Sequence, residues 1–175
     1  MKVIILAGGL GTRLSEETVL KPKPMVEIGN HPIMWHIMKI YSTYGFKEFI
    51  CTLGYKGEYI RNYFLNYKNS YNDISINLKT NDIKAHYVTD EDWLIHLIDT
   101  GLTTLAGGRI KKAMKFAGKE SIMATYGDGL ANINIKELLK FHHSHGKLAT
   151  LTAVRPPSRF GSLNIENNKV VKFEE

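Results

Sequence analysis

Residues 3–6, Val-Ile-Ile-Leu, run without a polar face straight into Ala7-Gly8-Gly9-Leu10-Gly11-Thr12-Arg13. A short β-branched run of that kind predicts a strand covered on both sides, as in a parallel sheet. Parallel strands need long crossovers, usually helices, so this opening predicts an α/β chain. The glycines that follow lack Cβ atoms. Their backbone N–H groups can approach an anion and form a phosphate-cradling concavity at the strand end.

Two familiar glycine-rich loops do not fit. A dinucleotide fingerprint needs glycine where Leu14 stands and an acid ending the second strand, where Thr52-Leu53-Gly54 are found. A Walker loop needs Gly-Lys-Ser/Thr, which does not follow. What remains is a phosphate-binding loop with its own cation, Arg13, whose planar fork can bind phosphate oxygens bidentately.

The rest of the chain continues the alternation. Apolar residues at helical spacing predict a helix over 32–44, with Pro32 in the first turn and Gly45 as its C-cap. A strand at 49–53, a helix at 58–67, a helix at 108–117, a strand at 122–126, a helix at 135–145 and a strand at 149–154 follow. Between them, 70–106 breaks the rhythm. Ile74, Ile76 and Leu78 alternate at period two and 85–89 could pair with them, so an inserted hairpin-like excursion is expected there. At the end, 162–165, Asn167-Asn168 and 170–173 read as strand, turn and strand. The α/β rhythm implies a mainly parallel sheet with helices on both faces.

The 175 residues suit one domain, 43% of them are hydrophobic, and no apolar run approaches the roughly 18 residues of a membrane helix. The four or five apolar residues after Lys2 are too few for a secretory signal, and the expectation is a cytoplasmic protein. Cys51, the single cysteine, cannot build a disulfide framework and reads as a core residue. With 23 basic and 17 acidic residues the net charge is +6, suited to a polyanion or to a phosphorylated substrate. The basic residues are dispersed and their densest group is Arg109-Ile110-Lys111-Lys112, so neither nucleic acid nor membrane is an expected partner.

Two further features carry chemistry. In Lys21-Pro22-Lys23-Pro24, two prolines fix the backbone around Lys23, which would hold its ammonium in a defined place over a phosphate. Tyr126-Gly127-Asp128-Gly129 ends a predicted strand, at the edge where open α/β sheets bind ligands. A carboxylate between glycines there could ligate Mg²⁺ alongside phosphate oxygens, or simply close an Asp-Gly turn.

Together, the glycine loop with Thr12-Arg13, the Pro22-Lys23-Pro24 segment and the strand-end Gly127-Asp128 resemble the sugar-phosphate nucleotidyltransferases over all 175 residues. Within that family the stretches 14–18, 22–29, 99–109 and 126–129 look like the cytidylyl branch. Its thymidylyl and guanylyl relatives usually carry a proline where this chain has Glu16.

The resemblance implies a Rossmann-like three-layer α/β nucleotidyltransferase fold, with a mainly parallel sheet and an inserted β-rich excursion. It also implies an activity, cytidylyl transfer from CTP to glucose 1-phosphate for nucleotide-sugar and surface-polysaccharide synthesis, with Mg²⁺ as cofactor. By the same resemblance the backbone of Leu6, Ala7, Gly8, Gly9, Leu10, Gly11, Thr12 and Arg13 holds the nucleotide. Arg13 meets its pyrophosphate part, Lys23 the α-phosphate, and Asp128 the metal, with Gly129 beside it. Thr104 and Arg109 match further nucleotide-binding positions, although a one-residue slip would move the first role to Thr103. Arg13, Lys23 and Asp128 are the catalytic set.

Family members are homo-oligomers and continue past the equivalent of Glu175 with a sugar-phosphate-binding lysine and a second metal-binding aspartate. The chain is therefore expected to be the nucleotide-binding portion, poorly active by itself. The alternatives are the same fold with another nucleoside triphosphate, or a non-catalytic nucleotide-binding or oligomerisation module.

Three other features have structural explanations. His142, His143 and His145 end a predicted helix, where histidine suits the dipole, and a third ligand for a metal is missing. Tyr59, Tyr63 and Tyr67 form a stripe that reads as core or interface. Asp90-Glu91-Asp92-Trp93 reads as a solvated acidic turn.

Overall fold

The computed structural model describes residues 1–9, 21–86, 91–154 and 162–174. They form two compact units, Met1–Asn132 and Ile133–Glu175. In the first, β1 (Val3–Leu6) leads to a 3-10 turn at Lys23–Met25, the two-residue strands β2 (Glu27–Ile28) and β3 (His31–Pro32), and helix α1 (Ile33–Thr43). Then come β4 (Glu48–Leu53), α2 (Gly57–Ser70), β5 (Ile74–Asn77), β6 (Asp82–Ala85), β7 (Leu94–Asp99), α3 (Ala106–Ala117) and β8 (Met123–Tyr126).

Four of these strands make one sheet in the order β7-β4-β1-β8, and every neighbouring pair is parallel. The alternation of side chains along each strand divides the core into two layers. On one face Val3, Ile5, Phe49, Cys51 and Leu53 pack with Met34, Ile37 and Met38 of α1 and Ile60 of α2. On the other, Ile4 and Ile50 pack with Ala113 and Ala117 of α3. The expected three-layer α/β architecture is therefore present. Cys51 is buried in the first layer, and burial pushes its thiol well above the usual range.

α1 carries no side-chain cap. Pro32 precedes its first turn, and Gly45, at φ +89, takes up the left-handed conformation just beyond its end. Of the tyrosine stripe of α2, Tyr63 packs against the core and Tyr67 meets α1, whereas Tyr59 is exposed. Trp35 Nε1 donates to the Tyr67 hydroxyl at 2.7 Å, and that hydroxyl donates to Glu91 Oε2 at 3.2 Å. Lys39 of α1 completes the network at 2.8 Å from Glu91 Oε1.

Glu91 is thus not the solvated turn residue the sequence suggests. Its side chain is only 10% exposed. Burial opposes its ionisation, but Lys39 outweighs that and holds it below the usual carboxylate range. Trp93 packs on Phe49 and Trp35, so this segment anchors the chain as it enters β7.

The inserted excursion is shorter than expected. β5 pairs antiparallel with β6, so its partner is 82–85 and not 85–89, of which 87–89 lie outside the described residues. β7, inside the span read as an excursion, is a full strand of the main sheet paired with all of β4.

The second unit holds α4 (Ile135–His145) and the antiparallel pair β9 (Ser162–Glu166) and β10 (Lys169–Glu174). Asn134 caps α4 by accepting the Glu137 N–H at 3.2 Å, and Gly146 at φ +62 ends it. Asn167 and Asn168 at φ 47 and 61 make the tight hairpin turn that the sequence predicts. The strand expected at 149–154 does not form: these residues join no ladder. Thr150 Oγ1 instead lies 2.8 Å from both His142 Nδ1 and His145 Nε2, so the segment is tied to the end of its own helix. No helix among the described residues is long and apolar enough to cross a membrane.

Candidate active site

The chain leaves β1, moves outward through β4 and β7, and returns to the other side of β1 with β8. The strand order reverses between β1 and β8. In open α/β sheets such a reversal opens a crevice at the carboxyl ends of the strands. Two groups of site residues stand at that edge, one on each side of β1.

The first group surrounds Arg109, in the first turn of α3 and only 5% exposed. Its Nη1 donates to Leu53 O at 2.9 Å and to the Thr100 hydroxyl, and its Nη2 to Gly8 O at 2.8 Å and Leu102 O at 3.2 Å. One guanidinium thereby ties together the chain just beyond β1, β4 and β7. Burial lowers its pKa and the nearby Asp99 carboxylate raises it, yet every one of these acceptors is neutral.

Glycine is obligatory around this group. A Cβ on Gly8 would fall 2.0 Å from Arg109 Nη1 and 2.9 Å from the Leu53 carbonyl carbon, and one on Gly54 would fall 2.6 Å from Gly8 O. Thr104 belongs to the same group. Its hydroxyl donates to Thr100 O, which also accepts from Lys112 Nζ at 2.7 Å. Thr100 and Gly54 are the members to which sequence reasoning assigned no role. The signal available for both was their position directly after a strand.

The second group is at the β1–β8 crevice. Lys23 Nζ lies 2.6 Å from Asp128 Oδ2, with 24% and 32% of the two side chains exposed. The prolines act as the sequence predicts: Pro22 and Pro24 are buried on either side of Lys23, and Met25 N–H closes the turn on Pro22 O at 2.8 Å. Gly127 lets this segment approach β8, since a Cβ there would lie 3.1 Å from both Leu6 O and Pro24 Cγ. Its N–H donates to Leu6 O at 2.9 Å, which sets Asp128 level with the start of the glycine loop. Lys21 is engaged elsewhere, 2.9 Å from Glu27.

Of the glycine loop, Leu6 ends β1, Ala7 donates to Thr52 O at 3.1 Å, Gly8 is buried and Gly9 exposed. Leu10, Gly11, Thr12 and Arg13 lie outside the described residues. Gly129 follows Asp128 in an exposed turn with open space around its Cα. The structure thus brings Gly8, Thr104 and Arg109 together on one side of β1, and Lys23, Asp128 and Gly129 on the other.

A glycine-lined strand end beside a partly exposed cation–carboxylate pair is a setting in which phosphate oxygens can be bound. The family model for nucleotidyl transferases matches residues 2–175, and the chain belongs to that family. It is 51% identical over 176 residues to the glucose-1-phosphate cytidylyltransferase of Salmonella typhi, covering 100% of this chain and 68% of that protein. A second relative is the D-glycero-alpha-D-manno-heptose 1-phosphate guanylyltransferase of Aneurinibacillus thermoaerophilus, 32% identical over 100% of this chain and 67% of that protein. Among solved structures, HddC from Yersinia pseudotuberculosis superposes with a TM-score of 0.69 at 24% identity, over 99% of this chain and 68% of that one. The chain thus spans about two thirds of the length of these relatives.

Proposed function

We propose that the chain transfers a cytidylyl group from CTP to glucose 1-phosphate. The observation that carries this reading is the Lys23–Asp128 pair, 2.6 Å apart at the strand-order reversal and beside the glycine loop. The choice of CTP and glucose 1-phosphate is supported by the Salmonella relative at 51% identity.

In the reaction an oxygen of the sugar phosphate attacks the α-phosphorus of CTP. The bond from that phosphorus to the bridging oxygen breaks, and pyrophosphate leaves with the electron pair, giving CDP-glucose. No covalent enzyme intermediate is needed, and positioning and charge neutralisation supply most of the catalysis. The backbone from Leu6 to Arg13 cradles the phosphates, with Arg13 on the departing pyrophosphate and Lys23 on the α-phosphate. Arg109 and Thr104 serve the nucleotide from beneath by holding the peptides of Gly8 and Thr100 in place. Gly129 leaves room beside Asp128.

The donor set fits Mg²⁺. No group of three acidic, histidine or cysteine side chains among the described residues could cage a metal, and one accessible carboxylate beside a phosphate loop suits an ion that keeps its waters and takes phosphate oxygens. Asp128 would hold it, and its chemistry there is to neutralise charge on the triphosphate.

This reading treats 1–175 as one nucleotidyltransferase domain, in keeping with a family model that spans residues 2–175. It places the chain in the cytoplasm, where its two substrates are made. Self-association belongs to the same reading, because Ile74, Ile76 and Ile83 line one exposed apolar face of the β5–β6 ribbon. Sedimentation would detect it.

The decisive experiment is pyrophosphate release with glucose 1-phosphate, Mg²⁺ and each of CTP, UTP, dTTP, GTP and ATP. Slow release confined to CTP is expected, since the chain spans 68% of the Salmonella relative. Release with another triphosphate alone moves the assignment within the family. A CTP-dependent rise in melting temperature without release makes the chain a binding module.

A further inference from the structure

Lys23 and Asp128 have so far been given separate tasks, one on a phosphate and one on a metal. In the structure they are bonded to each other at 2.6 Å. Both tasks compete with that bond. An ammonium in contact with a carboxylate oxygen occupies a position that a metal ion bound there needs, and two cations at such a distance repel. An ammonium held by a carboxylate is likewise partly neutralised towards a phosphate.

We propose that Lys23 is an exchangeable internal cation, seated on Asp128 in the free protein and transferred to the nucleotide phosphate when a metal takes its place. The inference rests on the reading of Asp128 as the metal ligand.

Three observations favour exchange over a permanent ion pair. Roughly a quarter of the Lys23 side chain and a third of that of Asp128 are exposed, so neither charge crosses a dry interior when the pair opens. The backbone on either side of Lys23 is fixed by buried Pro22 and Pro24, which confines the movement to the side chain. Lys21, two residues away, is bonded to Glu27, so no second lysine of this segment replaces Lys23 on Asp128.

The exchange couples the two ligands. The metal frees Lys23 for phosphate, the phosphate draws Lys23 from the metal's seat, and by linkage each raises the affinity of the other by the same factor.

The coupling predicts that removing Lys23, a member of the site, improves metal binding in the absence of nucleotide. The test is Mn²⁺ binding to the intact chain without nucleotide, followed by the electron paramagnetic resonance of free Mn²⁺. The proteins compared are the wild type, Lys23→Met, Lys21→Met and Asp128→Asn, with Lys23→Gln as a second removal of the charge.

The expected result is tightening by about three- to tenfold in both Lys23 variants, the scale of a partly exposed ion pair. Lys21→Met should show no change and Asp128→Asn a clear loss. Unchanged or weaker binding in the Lys23 variants, with the loss in Asp128→Asn retained, overturns the exchange and leaves the metal assignment standing. Equal tightening in Lys21→Met also overturns it, since loss of any nearby positive charge would then suffice. If Asp128→Asn binds Mn²⁺ as the wild type does, Asp128 is not the metal ligand and both readings fall.

Discussion

Arg109 and Lys23 stand at the same edge of one sheet, on opposite sides of β1, and are held by different means. Arg109 is 5% exposed and, among the described residues, bonded to uncharged carbonyl and hydroxyl oxygens of Gly8, Leu53, Thr100 and Leu102. Lys23 keeps 24% of its side chain in solvent and, among the described residues, meets the carboxylate of Asp128. A buried cation bonded to neutral backbone is held in place, because leaving would break several charge-assisted hydrogen bonds at once. A half-exposed ion pair can open and be hydrated at little cost. On the function proposed above, Arg109 belongs to the scaffold beneath the strand end and Lys23 to the chemistry.

Substitutions can break this contrast. The largest effect is expected for Arg109→Ala, which takes a charged donor from the buried oxygens of Gly8, Leu53, Thr100 and Leu102 at once, although Tyr55 N–H still serves Gly8 O and Thr100 still serves Leu53 O. A loss of roughly 2–4 kcal/mol in urea unfolding is the scale of removing several charge-assisted hydrogen bonds to buried oxygens. Arg109→Lys should recover only part of it. A loss below about 1 kcal/mol would mean that water reaches those oxygens and that Arg109 resembles Lys23 after all.

Next is Gly54→Ala, whose new methyl group meets the Gly8 carbonyl at 2.6 Å and must displace backbone, at a cost of about 1–3 kcal/mol. CTP affinity should fall with it, because the displaced carbonyl belongs to the nucleotide loop.

Glu91→Gln sharpens the comparison with a second carboxylate–lysine pair, away from the ligand edge. Lys39 holds Glu91 below the ordinary glutamate value of about 4.3, so the unfolded chain takes up its proton at a higher pH than the native chain does. The stabilisation is complete above that value and disappears as the pH falls through the native pKa. With Lys39 43% exposed, screening limits the loss in Glu91→Gln to about 1 kcal/mol at neutral pH. The acid limb of its stability profile should be shallower than that of the wild type.

The smallest stability change, within about 1 kcal/mol, is expected for Lys23→Met. The same variant should lose pyrophosphate release by roughly a hundredfold or more, the scale of removing one electrostatic contact to a reacting group. Comparable losses of stability and activity would instead place Lys23 with Arg109.

The same division decides what could be read from the sequence. Lys23 and Asp128 were legible because prolines and glycines around them leave a local mark, and the structure brings them together. The bonding of Arg109 was not, since its partners are mostly backbone carbonyls, which every residue type carries. β1, α1 and α4 announce themselves through short-range pattern and caps. β7 does not: Leu94 to Asp99 include a histidine and an aspartate, and the strand is fixed by pairing with β4, more than forty residues earlier. At 149–154 the local pattern misleads, because strand propensity needs a neighbouring edge and Thr150 is bonded to the histidines of α4 instead.

The aromatic cluster between α1 and α2 has an optical consequence. The chain's two tryptophans, Trp35 and Trp93, lie 5.9 Å apart in it, and His31 stacks on Trp35 at 4.0 Å. Burial, followed by the neighbouring His36, lowers the His31 pKa, so at neutral pH the imidazole on the indole is uncharged. Intrinsic fluorescence therefore reports one patch of the molecule, where α1, α2 and the entry to β7 meet. It will follow the loss of that packing on unfolding and dim in mild acid as His31 gains its proton.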